Sequence, residues 1–213
     1  MGDELELASY VDHVPADLEN ALVDDVEAGW EDGWREFHRA VVVGRLWIGP
    51  PWVSPAVGLL PVVIDPGRAF GTGAHATTRL CLELLDELPA GSLLDVGCGS
   101  GVLAIAAAKI GHSPVTAVDV DPAAIEATRR NAAVNRVAVE ARVADARAER
   151  LPAAEVAVAN IALDVVEEVA TGLRSRLAVT SGYLVRDRPE LAGFDHVARR
   201  TSGDWAADLW RRE

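Results

Sequence analysis

Cysteine is almost missing from this 213-residue chain, with only Cys81 and Cys98 present. The first falls in a predicted helix and the second inside a glycine turn, so neither a disulfide framework nor a metal cluster is indicated. Lysine is scarcer still. Lys109 stands alone among twenty basic residues, a bias towards arginine that carries no functional reading. No apolar run approaches the roughly 18 residues of a membrane span, and the opening Met-Gly-Asp-Glu-Leu-Glu is too acidic for a secretory leader. A cytoplasmic protein without membrane association is expected. A net charge of −13 argues against the basic face of a nucleic-acid binder, so no direct nucleic-acid binding is expected either. Basic residues are rarest at the start. Residues 1–37 hold twelve acids and only Arg35, which puts −11 of the charge there and −2 in the rest. Such a segment either steers a basic partner by long-range attraction or is a solvated helix face. Internal repeats and low-complexity tracts are also lacking.

What is present is half apolar and one quarter charged, the composition of a globular protein long enough for one full core plus a small appendage. After Pro15, Leu18, Leu22, Val26 and Trp30 recur every four residues, which predicts an amphipathic helix over 16–37. A strand is expected over 41–48, and Gly49-Pro50-Pro51-Trp52 through Pro55 reads as a linker. These features set a provisional division into an acidic N-terminal region, 1–55, and a main domain, 56–213. The run Asp65-Pro-Gly-Arg-Ala-Phe-Gly-Thr-Gly-Ala-His-Ala-Thr-Thr78 contains too many helix and strand breakers for regular structure. Its last threonines offer an N-cap for a helix through Leu88. A glycine-rich loop holding Phe70 and His75 before a helix start suggests a ligand clamp.

From Leu93 the pattern alternates between strand and helix: strands over 93–96, 115–120, 137–143, 156–159 and 177–184, helices over 102–109, 122–135 and 163–174. This predicts an α/β fold, a doubly wound Rossmann-like sheet that is mostly parallel. Segments 196–201 and 206–211 around Ser202-Gly203-Asp204 close it with an antiparallel hairpin.

The first strand runs into Asp95-Val-Gly97-Cys-Gly99-Ser-Gly101, a turn expected to offer bare backbone N–H groups and a helix N-terminus to a ligand. Asp119, about twenty positions on, closes the next strand where a carboxylate can accept both ribose hydroxyls. Asp145 and Asn160 end the following strands. Asp121 and Asp145, taken singly, read equally well as turn formers. The Gly-x-Gly-x-Gly spacing, preceded by an acid that would repel a pyrophosphate, disfavours a nicotinamide dinucleotide. Asp95 suits the cationic amino-acid head of S-adenosyl-L-methionine.

Asp65 to Thr78, the Asp95–Gly101 turn, Val118-Asp-Val-Asp-Pro122 and Val158-Ala-Asn-Ile161 together resemble the ribosomal protein L11 methyltransferase family, as do Trp34, Gly44, Trp47, Pro51-Trp52 and Gly203-Asp204-Trp205. The resemblance implies a class I methyltransferase fold and S-adenosyl-L-methionine-dependent methylation of lysine or N-terminal amines on a basic ribosomal protein, L11. By the resemblance Thr78, Gly97, Asp119 and Asn160 match the family's cofactor positions, and Phe70 to His75, with Gly73, matches the loop that closes over the methionine end; Asp95, Gly99, Gly101 and Asp145 complete the expected cofactor contacts. Asn160 would orient the acceptor amine, and His75 is the one titrating candidate in the loop. The chain departs from the family in a shortened N-terminal region and in a shortened connection between Ala170 and Leu191. Two alternatives therefore stay open: a methyltransferase of this fold acting on another protein or a small molecule, and a non-catalytic module that binds S-adenosyl-L-methionine.

Overall fold

The computed structural model describes residues 39–65 and 73–212. The expected helix over 16–37 and Phe70 lie outside them. The chain divides into two compact units, Met1–Phe37 and His38–Glu213, and every described residue belongs to the second.

This unit opens with a small three-stranded sheet, β1 (Val41–Val43), β2 (Leu46–Gly49) and β3 (Leu60–Val63). The single strand expected over 41–48 is in fact a hairpin. Gly44, at φ +53°, supplies the left-handed turn that folds Val43 back on Leu46. β2 then pairs in parallel with β3, so the expected division at residues 55/56 falls between two strands of one sheet.

The main sheet has seven strands in the order β6-β5-β4-β7-β8-β10-β9. They are β4 (Leu93–Val96), β5 (Val115–Asp119), β6 (Glu140–Val143), β7 (Ala154–Asn160), β8 (Ser175–Leu184), β9 (Phe194–Ser202) and β10 (Trp205–Arg212). The first five are parallel, and β10 runs antiparallel between β8 and β9. All four residues of β4 are buried, as expected for a parallel strand covered on both faces. Helices α1 (Ala76–Glu87), α2 (Val102–Ile110) and α3 (Pro122–Asn135) contribute Leu80, Leu84, Ile105 and Ile125 to one core. On the opposite face α4 (Leu163–Ala170) buries Val166 and Val169 with Tyr183, Phe194 and Trp210. Each such side chain contributes about 1.5–3 kcal/mol of transfer free energy.

Three of the boundaries that differ from expectation have a visible cause. α1 starts at Ala76, because the His75 side chain rather than a threonine accepts the Thr77 N–H and caps it. α3 stops where Arg136 turns left-handed at φ +55°, so Val137–Val139 is an irregular lead into β6. α4 ends at Ala170, four residues early, because the chain turns at Thr171 and Gly172 and enters β8 directly.

Candidate functional site

β4 pairs with β5 on one side and with β7 on the other: the chain runs outward from β4 through β5 to β6 and then crosses back to β7, so the strand order reverses at β4. Ligands of doubly wound sheets bind outside the carboxyl ends of the strands at such a reversal. A cleft of about 390 Å³ opens there, lined by Gly97 and Gly99 after β4, Asp119 after β5, Asp145 after β6, Asn160 after β7 and Thr78 of α1. Between them lies apolar surface, including Val118, Ile161 and Val165.

The glycine turn is built for shape rather than for free donors. Gly97 and Cys98 donate to Val118 O at 2.8 and 3.2 Å, and Gly101 donates to Cys98 O at 2.8 Å. Gly99 donates to the Asp119 carboxylate at 3.0 Å. The expectation of bare N–H groups therefore fails at these positions, whose donors are already used within the protein. What glycine supplies is backbone conformation and room. At Gly101, φ is +82° and a Cβ would lie 2.9 Å from Thr128. Gly101 and Gly73 fall outside the cleft lining, Gly101 as the N-cap of α2 and Gly73 buried against Ile48.

Asp119 keeps its carboxylate on the ligand side while anchoring its own turn: Oδ2 accepts Gly99 N–H, and Oδ1 accepts Asp121 N–H at 3.0 Å. Lone pairs remain on both oxygens. Asp121 caps α3 by accepting Ala123 N–H at 2.8 Å, the structural role left open in the sequence.

Asp95 is elsewhere than expected. It is 1% exposed and does not line the cleft; Oδ2 accepts Ala104 N–H at 3.0 Å beneath the start of α2, and Oδ1 has no hydrogen-bond partner. A direct contact with an amino-acid head is thus replaced by support from below. Burial pushes its pKa up to about 7, against the pull of the Ala104 N–H and with the Asp119 charge adding to the rise. Cys98, pushed up to about 12 mainly by burial, is a thiol rather than a nucleophilic thiolate.

Asp145 sits at the cleft mouth with its carboxylate already engaged. Oδ1 accepts Arg147 N–H and Nε–H at 3.0 and 3.1 Å, and these bonds hold its pKa below the ordinary carboxylate value. Asn160 donates through Nδ2 to Thr78 Oγ1 at 3.3 Å. Its Oδ1 is thereby an acceptor available to the cleft.

His75 stands beside this group rather than in the cleft lining. Both the backbone N–H and the hydroxyl of Thr77 converge on Nδ1, at 3.4 and 2.7 Å. That assigns the neutral ring's proton to Nε2. The ring meets Trp205 edge-on, with centroids 4.8 Å apart. Arg147 and the Trp205–His75 contact were not anticipated as site features. Trp205 is visible in the sequence only as part of Gly203-Asp204-Trp205, and nothing marks Arg147. Among the described residues no cluster of three or more His, Cys, Asp or Glu side chains could hold a metal ion, and no helix is long and apolar enough to cross a membrane.

The family model of ribosomal protein L11 methyltransferase (PrmA) matches residues 4–210. The chain is similar to the ribosomal protein L11 methyltransferase of Symbiobacterium thermophilum, 44% identical over 163 residues, covering 74% of this chain and 54% of that protein. It is also similar to that of Pelobacter propionicus, 35% identical, covering 97% of this chain and 76% of the relative. The crystal structure of ribosomal protein L11 methylase from Lactobacillus delbrueckii subsp. bulgaricus superposes with a TM-score of 0.75 at 25% identity, over 83% of this chain and all of that one. The match with relatives such as those of Symbiobacterium thermophilum and Bordetella bronchiseptica spans about half of their length.

Proposed function

The chain belongs to the ribosomal protein L11 methyltransferase family, and from that premise we propose that its cleft binds S-adenosyl-L-methionine and that it methylates amino groups of a basic protein of the L11 type. The observation that carries this reading is the convergence of Gly97, Gly99, Asp119 and Asn160, from three separate strand ends, on one cleft. The residues present fit the cofactor. Asp119 has lone pairs for the ribose, the apolar walls suit the adenine, and Gly97 and Gly99 leave room for the amino-acid end. Asp95 supports that end from beneath as a buried carboxylate, and Asp145 faces the adenine side through its Arg147 pair. When bound, the cofactor supplies a methyl group activated on a sulfonium.

The chain's own task is to receive a neutral amine. A lysine amine with a pKa near 10.4 loses its proton at pH 7 at a cost of nearly 5 kcal/mol, from about 1.4 kcal/mol per unit. Exclusion of water at the acceptor side lowers that cost by disfavouring the charged form. Asn160 Oδ1, its Nδ2 held by Thr78, accepts an amine hydrogen and thereby orients the lone pair. His75 packs edge-on against Trp205 at the start of α1. Its ring held by Thr77, His75 acts here by packing. The acidic region within 1–55 attracts a basic acceptor protein by charge.

The test is incubation of the full chain with methyl-labelled S-adenosyl-L-methionine and purified ribosomal proteins. Label on L11, reduced tenfold or more by Asn160→Ala with little change in cofactor affinity, is expected. Label confined to other proteins or small molecules would move the substrate elsewhere, and binding without any transfer would identify a non-catalytic module.

A further inference from the structure

One face of α3 carries three buried polar side chains, Thr128, Asn131 and Asn135, at 0, 3 and 5% exposure. Spacings of three and four place them in a single row along the helix. Each reaches out of the helix, Thr128 to the glycine turn, Asn135 to β3, and Asn131 to both sides. The Thr128 hydroxyl lies 3.0 Å from Gly99 O in the glycine turn. Asn135 treats the edge strand β3 as a neighbouring strand would, accepting Val63 N–H at 2.8 Å and donating to Val63 O at 2.6 Å. Asn131, between them, does both jobs. Its Nδ2 donates to Ser100 O in the turn at 2.9 Å, and its Oδ1 accepts Asp65 N–H at 3.2 Å.

We infer that Asn131 is a positioning residue that couples occupancy of the cofactor cleft to the backbone at Asp65, where the chain leaves the small sheet on its way to His75. The inference rests on the reading of the cleft as the methyl-donor site. Both polar atoms of Asn131 belong to one planar amide, so they cannot move independently. Rotation that loses the Ser100 carbonyl also withdraws the acceptor from Asp65 N–H. A buried amide that loses a partner pays the desolvation of the group left unpaired, which keeps both bonds made together. A ligand that settles on Gly97 and Gly99 fixes the turn, with it Ser100 O, and through Asn131 the Asp65 amide. Asn135 supplies the contrast: it is equally buried and lies on the same face, yet it bonds only to Val63 and to Asn131 O.

Amide hydrogen exchange on the full chain, with and without S-adenosyl-L-methionine, tests this. In the wild type the ligand is expected to slow exchange at Gly99 to Gly101 and also, about fivefold or more, at Asp65. Asn131→Ala should keep the first effect and lose the second. Asn131→Asp, which retains an acceptor for Asp65 N–H but has no donor for Ser100 O, should leave Asp65 protected to the same extent with and without ligand. Asn135→Ala should speed exchange at Val63 and preserve the ligand response at Asp65. Should Asn131→Ala not fold, the wild type and Asn131→Asp decide. Protection of the turn without any response at Asp65 in the wild type, or an undiminished response in Asn131→Asp, overturns the coupling while leaving the donor site standing. Failure of the ligand to bind at all overturns both.

Discussion

A carboxyl group that titrates near neutrality lies at the root of the glycine turn. Asp95 takes up its proton near pH 7 in the folded chain and near pH 4 in an unfolded one. Between those values the folded state binds the extra proton, so this group's contribution makes stability fall as pH rises, by at most about 1.4 kcal/mol per unit, and level off above pH 7. Asp95→Asn removes the ionisation while keeping an oxygen for Ala104 N–H. Denaturant unfolding at pH 5 and pH 8 should show the variant gaining on the wild type at the higher pH. A difference between the two that is the same at both pH values would contradict the assignment. Asp208 shows the opposite balance. It is fully buried, yet bonds from Arg199, Tyr183 and His196 outweigh the burial and hold its pKa below the ordinary value. Two buried acids in one sheet thus differ because one has a cationic partner and the other does not.

At the level of elements, the site depends on how the tip of β8 meets the end of β7. Asn160 pairs with Ser181, and Ile161 N–H donates to Ser181 O at 3.1 Å. The next residue, Gly182, has φ +105°, and a Cβ there would stand 2.0 Å from Ile161 O. Gly182→Ala should therefore cost about 2–4 kcal/mol of stability, from backbone strain plus overpacking, read from the shift in denaturant midpoint. A loss below about 1 kcal/mol would show that the two tips can separate. Gly182 also illustrates what was hidden in the sequence. It lies inside a strand pattern, and only the approach of a chain segment twenty-one positions away makes it necessary. The alternation of strands and helices from Leu93 was legible because both periods are local. The hairpin at Gly44 and the His75 cap were not, since a single glycine in an apolar run and a histidine before two threonines each favour the commoner reading.

For the molecule as a whole, a doubly wound, mostly parallel sheet with a cleft at its reversal point was legible from spacing: glycines after one strand, an acid twenty residues later at the end of the next. Gly97, Gly99, Thr78, Asp119, Asp145 and Asn160 accordingly line one cleft. Asp95 was misplaced because its residue type suits a cationic ligand as well as it suits the buried support of α2, and sequence carries no burial. The Trp205–His75 contact required the fold, since side chains far apart in the chain meet there, whereas Arg147 lies only two positions from Asp145, and so short a pair carries no signal of its own in the sequence. The measurement that bears most directly on the central claim is calorimetric titration of the chain with S-adenosyl-L-methionine, for the wild type and for Asp119→Ala. One saturable site per chain is predicted, weakened tenfold or more in the variant, as loss of hydrogen bonds to a charged group requires. Absence of binding, or binding indifferent to Asp119, would contradict the cleft as the donor site.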